Sequence, residues 1–166
     1  SLGAIQINEF VAKNLEFFKK NNLQVLLQCG TRYSKKYKFL DSTNIKVLPF
    51  INEMDKAFST ADIIISRSGA SIISELCLVG KPVVFIPSPN VADNHQSKNA
   101  RKLYNLGAAE YVEEDEVDYK LTSIISKILV SDIYRKSLSE KIKLLSKPNA
   151  TKIIYNEIKD YLKWII

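Results

Sequence analysis

Residues 66–75, Ser66-Arg67-Ser68-Gly69-Ala70-Ser71-Ile72-Ile73-Ser74-Glu75, combine groups whose types and spacing could do chemistry. An apolar run ends, a glycine turn follows, and a helix opens with small residues and no acid. The first amides of a helix have no intrahelical partner and carry partial positive charge. With Gly69, Ala70 and Ser71 this small, a phosphate can approach them closely. Helical spacing puts Ile72, Ile73, Leu76 and Val79 on one face, toward a sheet, and Ser71, Glu75 and Leu78 on another. Glu75 then lies about one turn, roughly 5–6 Å, beyond the amides. A carboxylate there suits a hydrogen-bond-donating neighbour of the phosphate, and a ribose diol is such a neighbour. The plainer reading stands beside it: a Ser-Gly turn can simply cap a helix, and a helical glutamate can simply be solvated.

The other candidate groups are few. His95, the only histidine, precedes Gln96 in the polar stretch Asp93-Asn94-His95-Gln96. Arg67 could add charge to a diphosphate site or pair with a carboxylate of the fold. The acidic run Glu113 to Asp118 reads as the start of a helix, stabilised by the macrodipole, rather than as a metal site. Cys29 and Cys77 sit in apolar segments without metal-ligand spacing and read as reduced core residues, as in a cytoplasmic protein.

Elements must hold these groups in place. Ile7, Phe10, Val11, Leu15 and Phe18 recur at spacings of three and four, which predicts one amphipathic helix over 4–20. Short apolar runs at 23–29, 45–50, 62–66 and 82–87 predict strands covered on both faces, and Ala109-Glu110-Tyr111-Val112 predicts a weaker one. Helices are predicted near 53–60, 71–79, 94–106, 117–130, 132–146 and 150–163. Strand alternating with helix predicts an α/β fold with a Rossmann-like, doubly wound parallel sheet. Ligands of such sheets bind beyond the carboxyl ends of the strands, where the residues named above fall. Ser1-Leu2-Gly3-Ala4 has the character of a strand-to-helix phosphate loop with no strand before it. The chain is therefore expected to be a single domain, 1–166, cut from a larger protein just after a central strand. The sheet is expected to lack that strand, so that something else fills the gap or the sheet is split.

A length of 166 residues and a hydrophobic fraction of 46% fit one soluble globular domain. No apolar run is long enough to span a bilayer. The net charge of +6 and pI near 9.2 would suit nucleic acid, an anionic surface or a phosphorylated substrate. The lysines are dispersed and no RNA-binding or zinc-finger signature accompanies them, so solvated helix faces are expected and nucleic acid is not.

Four stretches in register, SLGA at the start, FINEM at 50–54, SRSGASIISE at 66–75 and PSPNVADNHQSKNA at 87–100, resemble the MurG glycosyltransferases. The resemblance covers essentially the whole chain and corresponds to the C-terminal, donor-binding half of a two-domain (GT-B) enzyme. It implies transfer of N-acetylglucosamine (GlcNAc) from UDP-GlcNAc to undecaprenyl-diphosphate-linked MurNAc-pentapeptide in peptidoglycan synthesis. It implies that Ser1 matches the serine that hydrogen-bonds the donor diphosphate, although the two glycines that precede that serine in the family are absent. By the same match, Ile51 reads the uracil edge through its backbone and Met54 packs near it. Ala70, Ser71 and Ile72, after Gly69, bind the phosphates, and Glu75 holds the ribose hydroxyls. His95 and Gln96 match a polar pair, often two glutamines, that contacts the GlcNAc hydroxyls. The catalytic base and the lipid-linked acceptor site belong to the absent N-terminal half, so no catalytic residue is expected here. No metal or other cofactor is implied, because helix amides can neutralise the leaving diphosphate. The parent is expected to act as a peripheral protein on the inner face of the cell membrane, with the last helix, ending Trp164-Ile165-Ile166, docking on the absent half.

Two other readings stay open on the sequence. One is a different UDP-sugar enzyme of the same architecture, an epimerase or the donor-binding subunit of a split GlcNAc transferase. The other is a basic module that binds RNA or a partner and performs no chemistry, whose affinity would fall steeply with salt.

Overall fold

The computed structural model describes residues 4–89 and 92–163. Ser1, and with it the start of the N-terminal loop, lies outside them, as do Asn90, Val91 and Trp164 to Ile166. The elements run α1 (Ile5–Lys13), α2 (Leu15–Lys20), β1 (Val25–Gln28), α3 (Ser34–Tyr37), β2 (Ile45–Leu48), α4 (Met54–Thr60) and β3 (Ile64–Ser66). They continue with α5 (Ala70–Val79), β4 (Val83–Phe85), α6 (His95–Asn105), β5 (Glu110–Tyr111), α7 (Val117–Val130), α8 (Asp132–Leu144) and α9 (Ala150–Lys163).

Among the described residues all pairing is parallel, as the alternation of elements predicts, but the strands form two sheets, β1-β2 and β3-β4-β5. A split sheet is one of the two outcomes expected of a chain that lacks the strand ahead of α1. Leu26 of β1 is 46% exposed, high for a strand inside an α/β fold. The predicted helix over 4–20 is also divided. At Asn14 (φ −116°, ψ 29°) the side chain donates to the Phe10 carbonyl at 2.8 Å and interrupts the backbone ladder.

Burial explains why the two sheets hold together. Alternate residues of β4 point to opposite faces. Val84 and Ile86 join a core with Phe10 and Val11 of α1, Leu27 and Cys29 from the β1 side, and Leu121, Ile125 and Ile128 of α7. Val83 and Phe85 face the other way, onto Leu76 and Cys77 of α5, Ala100 and Leu103 of α6 and Ile142 of α8. Full burial of one such Val, Ile, Leu or Phe side chain stabilises by roughly 1.5–3 kcal/mol. The first core contains residues from both sheets, so it bridges the division. Both cysteines are free and buried, and burial pushes both thiols up, which makes them packing groups rather than nucleophiles.

Helix α5 stops at Gly80, whose φ of 68° is left-handed and whose N–H donates back to the Leu76 carbonyl at 3.0 Å. Helix α9 differs from the rest: every residue from 150 to 162 is exposed, including Ile154 (58%), Ile158 (56%) and Tyr161 (71%).

Candidate functional site

The start of α5 is as bare as its sequence suggests. Among the described residues no side chain caps it, and no acid lies in its first turn. Gly69 has φ −65° and ψ 152°, an extended backbone open to any residue, so glycine is not required here for conformational freedom. What it supplies is room: a Cβ built at Gly69 would meet no atom of the described residues within 4 Å. Ala70 and Ser71 are exposed, and Ile72 is half-buried against the second core. Leu76 is fully buried, whereas Glu75 and Leu78 lie with Ser71 on the exposed face. The carboxylate therefore stands on the open side of the helix, one turn from the free amides.

Arg67 precedes this turn and points elsewhere. Its Nη1 donates to the carbonyls of Ile86 (3.1 Å) and Pro87 (2.9 Å) and pairs with Glu114 at 2.7 Å. Of the two roles its sequence leaves open, the structure gives it the one within the fold, tying the ends of β3 and β4 to the acidic run. That run is divided among cations: Glu114 on Arg67, Glu113 on Arg101 and Glu116 on Lys120. Lys120 holds the Glu116 carboxyl below its usual range, chiefly by hydrogen bonding. Among the described residues, no group of three or more His, Cys, Asp or Glu is arranged to hold a metal ion.

The turn into α6 contains two consecutive left-handed residues, Asp93 (φ 53°) and Asn94 (φ 50°), types that tolerate this conformation. They present His95, exposed, and Gln96, half-buried, at the helix start. The Gln96 Oε1 accepts from the Ser88 N–H at 2.9 Å and, more weakly, from the Ser68 N–H at 3.4 Å. Gln96 is thereby joined to the turn that leads into α5. Ile51 and Met54 lie in a different neighbourhood, at the carboxyl end of β2 and the start of α4. There the Ile51 N–H donates to Gln28 Oε1 at 2.9 Å, so the polar edge Ile51 can present to a base is its carbonyl. Hydrogen bonds thus bring together the α5 start and Gln96, and anchor Ile51 to β1 instead. The sequence alone places Ser68 and Ser88 at strand ends without a role and misses Asn99 and Gln28 as supporting groups. The one available signal is that Ser68 is a polar residue wedged between a strand end and a glycine.

The chain is similar to known proteins over most of its length. Residues 1–154 match the glycosyltransferase family 28 C-terminal domain. Over 159 residues the chain is 45% identical to the UDP-N-acetylglucosamine–N-acetylmuramyl-(pentapeptide) pyrophosphoryl-undecaprenol N-acetylglucosamine transferase of Flavobacterium psychrophilum, covering 95% of this chain and 43% of that protein. The enzyme of the same name from Bacteroides thetaiotaomicron is 40% identical over 164 residues, covering 95% and 44%. The crystal structure of Acinetobacter baumannii MurG superposes with a TM-score of 0.80 at 32% identity, covering 96% of this chain and 47% of that one. A kitacinnamycin glycotransferase superposes at 0.68 with 19% identity and shares the fold. The chain spans a little under half the length of these relatives.

Proposed function

The chain belongs to the glycosyltransferase family 28 C-terminal domains, and from that premise we propose that it is the UDP-GlcNAc-binding part of a two-domain glycosyltransferase. The whole enzyme transfers GlcNAc to lipid-linked MurNAc-pentapeptide, the reaction named for its Flavobacterium and Bacteroides relatives. One observation carries the reading: the open, uncapped start of α5 with Glu75 one turn beyond it on the exposed face.

In this reading the amides of Ala70, Ser71 and Ile72 receive the donor's diphosphate, and their partial charge stabilises UDP as it leaves. Glu75 accepts from the ribose hydroxyls. The Ile51 carbonyl faces the uracil, with Met54 beside it. His95 and Gln96 face the sugar, and Ser1, which lies outside the described residues, contributes to holding the diphosphate. The acceptor site and the base that deprotonates its hydroxyl lie in the other domain, so this chain alone binds donor without turnover. The enzyme works at a membrane surface because its acceptor is lipid-linked. No helix among the described residues is long and apolar enough to cross a bilayer, and peripheral attachment is the mode proposed.

Calorimetric titration of the full-length protein with UDP-GlcNAc, UDP-GalNAc and UDP tests this. UDP-GlcNAc is expected to bind most tightly. Glu75→Ala should remove roughly 1–3 kcal/mol of binding, the worth of hydrogen bonds to a charged acceptor. Unaltered affinity in the variant would take Glu75 out of the site.

A further inference from the structure

Ser68 is fully buried between β3 and α5, and each of its three polar groups is tied to α6. Its hydroxyl donates to the Gln96 carbonyl at 2.9 Å, its carbonyl accepts from Asn99 Nδ2 at 3.2 Å, and its N–H reaches Gln96 Oε1 at 3.4 Å. The same oxygen accepts from the Ser88 N–H at 2.9 Å. With two backbone donors on Oε1, the carboxamide of Gln96 has only one sensible orientation: oxygen toward the two turns, NH2 away from them.

We propose that Ser68 is a positioning residue for the donor's sugar: it fastens the first turn of α6 to the turn before α5, so that the Gln96 NH2 is held at a fixed place relative to the amides of Ala70 and Ser71. The inference rests on the donor-binding reading above and adds to it. A diphosphate and the sugar it carries are covalently joined. The groups that recognise them must therefore hold their mutual geometry to within about 0.5 Å to act together. Paired strands and a shared core set the packing of the two helices, and Ser68 adds the direct hydrogen bonds between the turn before α5 and the first turn of α6. The orientation also fixes the chemistry: the Gln96 side chain offers the sugar donors only, so its partner is a sugar oxygen acting as acceptor.

The test is the ratio of UDP to UDP-GlcNAc dissociation constants in the full-length protein, measured beside the melting temperature. In Ser68→Ala the preference for UDP-GlcNAc over UDP should fall about tenfold, roughly one hydrogen bond's worth, while UDP binding changes less than about threefold. Ser68→Cys, similar in size and a weaker donor, should fall between. It also carries the test if the alanine variant does not fold. A lower melting temperature with the preference intact in both variants would make Ser68 merely structural and overturn the proposal, leaving the donor reading in place. A wild-type protein that does not prefer UDP-GlcNAc would overturn the donor reading and this inference with it.

Discussion

At Gly69 the fold and the ligand make different demands on one residue, and substitution separates them. The backbone there is ordinary and a Cβ meets open space. Gly69→Ala gains about 0.4–1 kcal/mol by restricting the unfolded chain and loses a comparable amount because alanine is a poor N-cap. Stability should therefore move by less than about 1 kcal/mol in urea denaturation. The added methyl stands where a diphosphate would approach the amides, so UDP affinity should drop about tenfold or more by calorimetry. Unchanged affinity would place the phosphates elsewhere. The face of α5 that carries Glu75 was readable from spacing alone, because helical geometry fixes it locally. The hydrogen-bond partners of Ile51, Ser68 and Arg67 were not, since they lie 23, 28 and 47 positions away along the chain. No periodic pattern encodes a contact across that distance. Ile51 is the instructive case: the resemblance places its backbone at a base, and the structure adds that Gln28 holds its N–H, which leaves the carbonyl for that role.

Among the elements, β5 has only two residues and depends on what holds it. Glu110, with its side chain 5% exposed, accepts from Lys127 of α7 at 2.8 Å and from Tyr134 of α8 at 2.5 Å through one oxygen. Lys127→Met would leave that carboxylate buried with Tyr134 as its remaining partner, and should destabilise by about 2–4 kcal/mol at neutral pH. The pair also gives the variant a pH signature. The hydrogen bond to Glu110, then that with Tyr134, raises the Lys127 pKa above its ordinary 10.5. A raised folded pKa means the contribution is complete below the unfolded value and fades as pH rises through the folded one. The gap between wild type and Lys127→Met in urea titrations should thus be constant from pH 7 to about 10 and narrow above roughly 10.5. A gap independent of alkaline pH would remove the ion pair from the account. The long helices α7, α8 and α9 were legible from their periodicity. The four residues of α3 were not, because so short a segment shows no period, and the break at Asn14 depends on a side chain turning back onto its own helix.

Over the whole molecule, alternation of strand and helix points to the parallel α/β architecture, and the strand expected before α1 leaves a filled gap or a split sheet as alternatives, of which the structure has the second. The alternation could not say that a core drawn from α1, α7 and strands of both sheets would bridge the division, because that requires knowing which faces meet. Nor does amphipathic spacing reveal whether an apolar stripe is covered. In α9 the stripe through Ile154, Ile158 and Tyr161 is open to solvent. Helices of fewer than about 12–15 residues are marginal in water without packing, and α9 has 14. Its unwinding should therefore be gradual and begin at temperatures where the core is intact. Far-ultraviolet circular dichroism of this chain should show a sloping loss of helical signal ahead of the cooperative transition, absent when residues 147–166 are deleted, while near-ultraviolet signals from the core stay flat. The first degrees of warming would then read out one segment by itself, like a fuse that softens before the circuit opens.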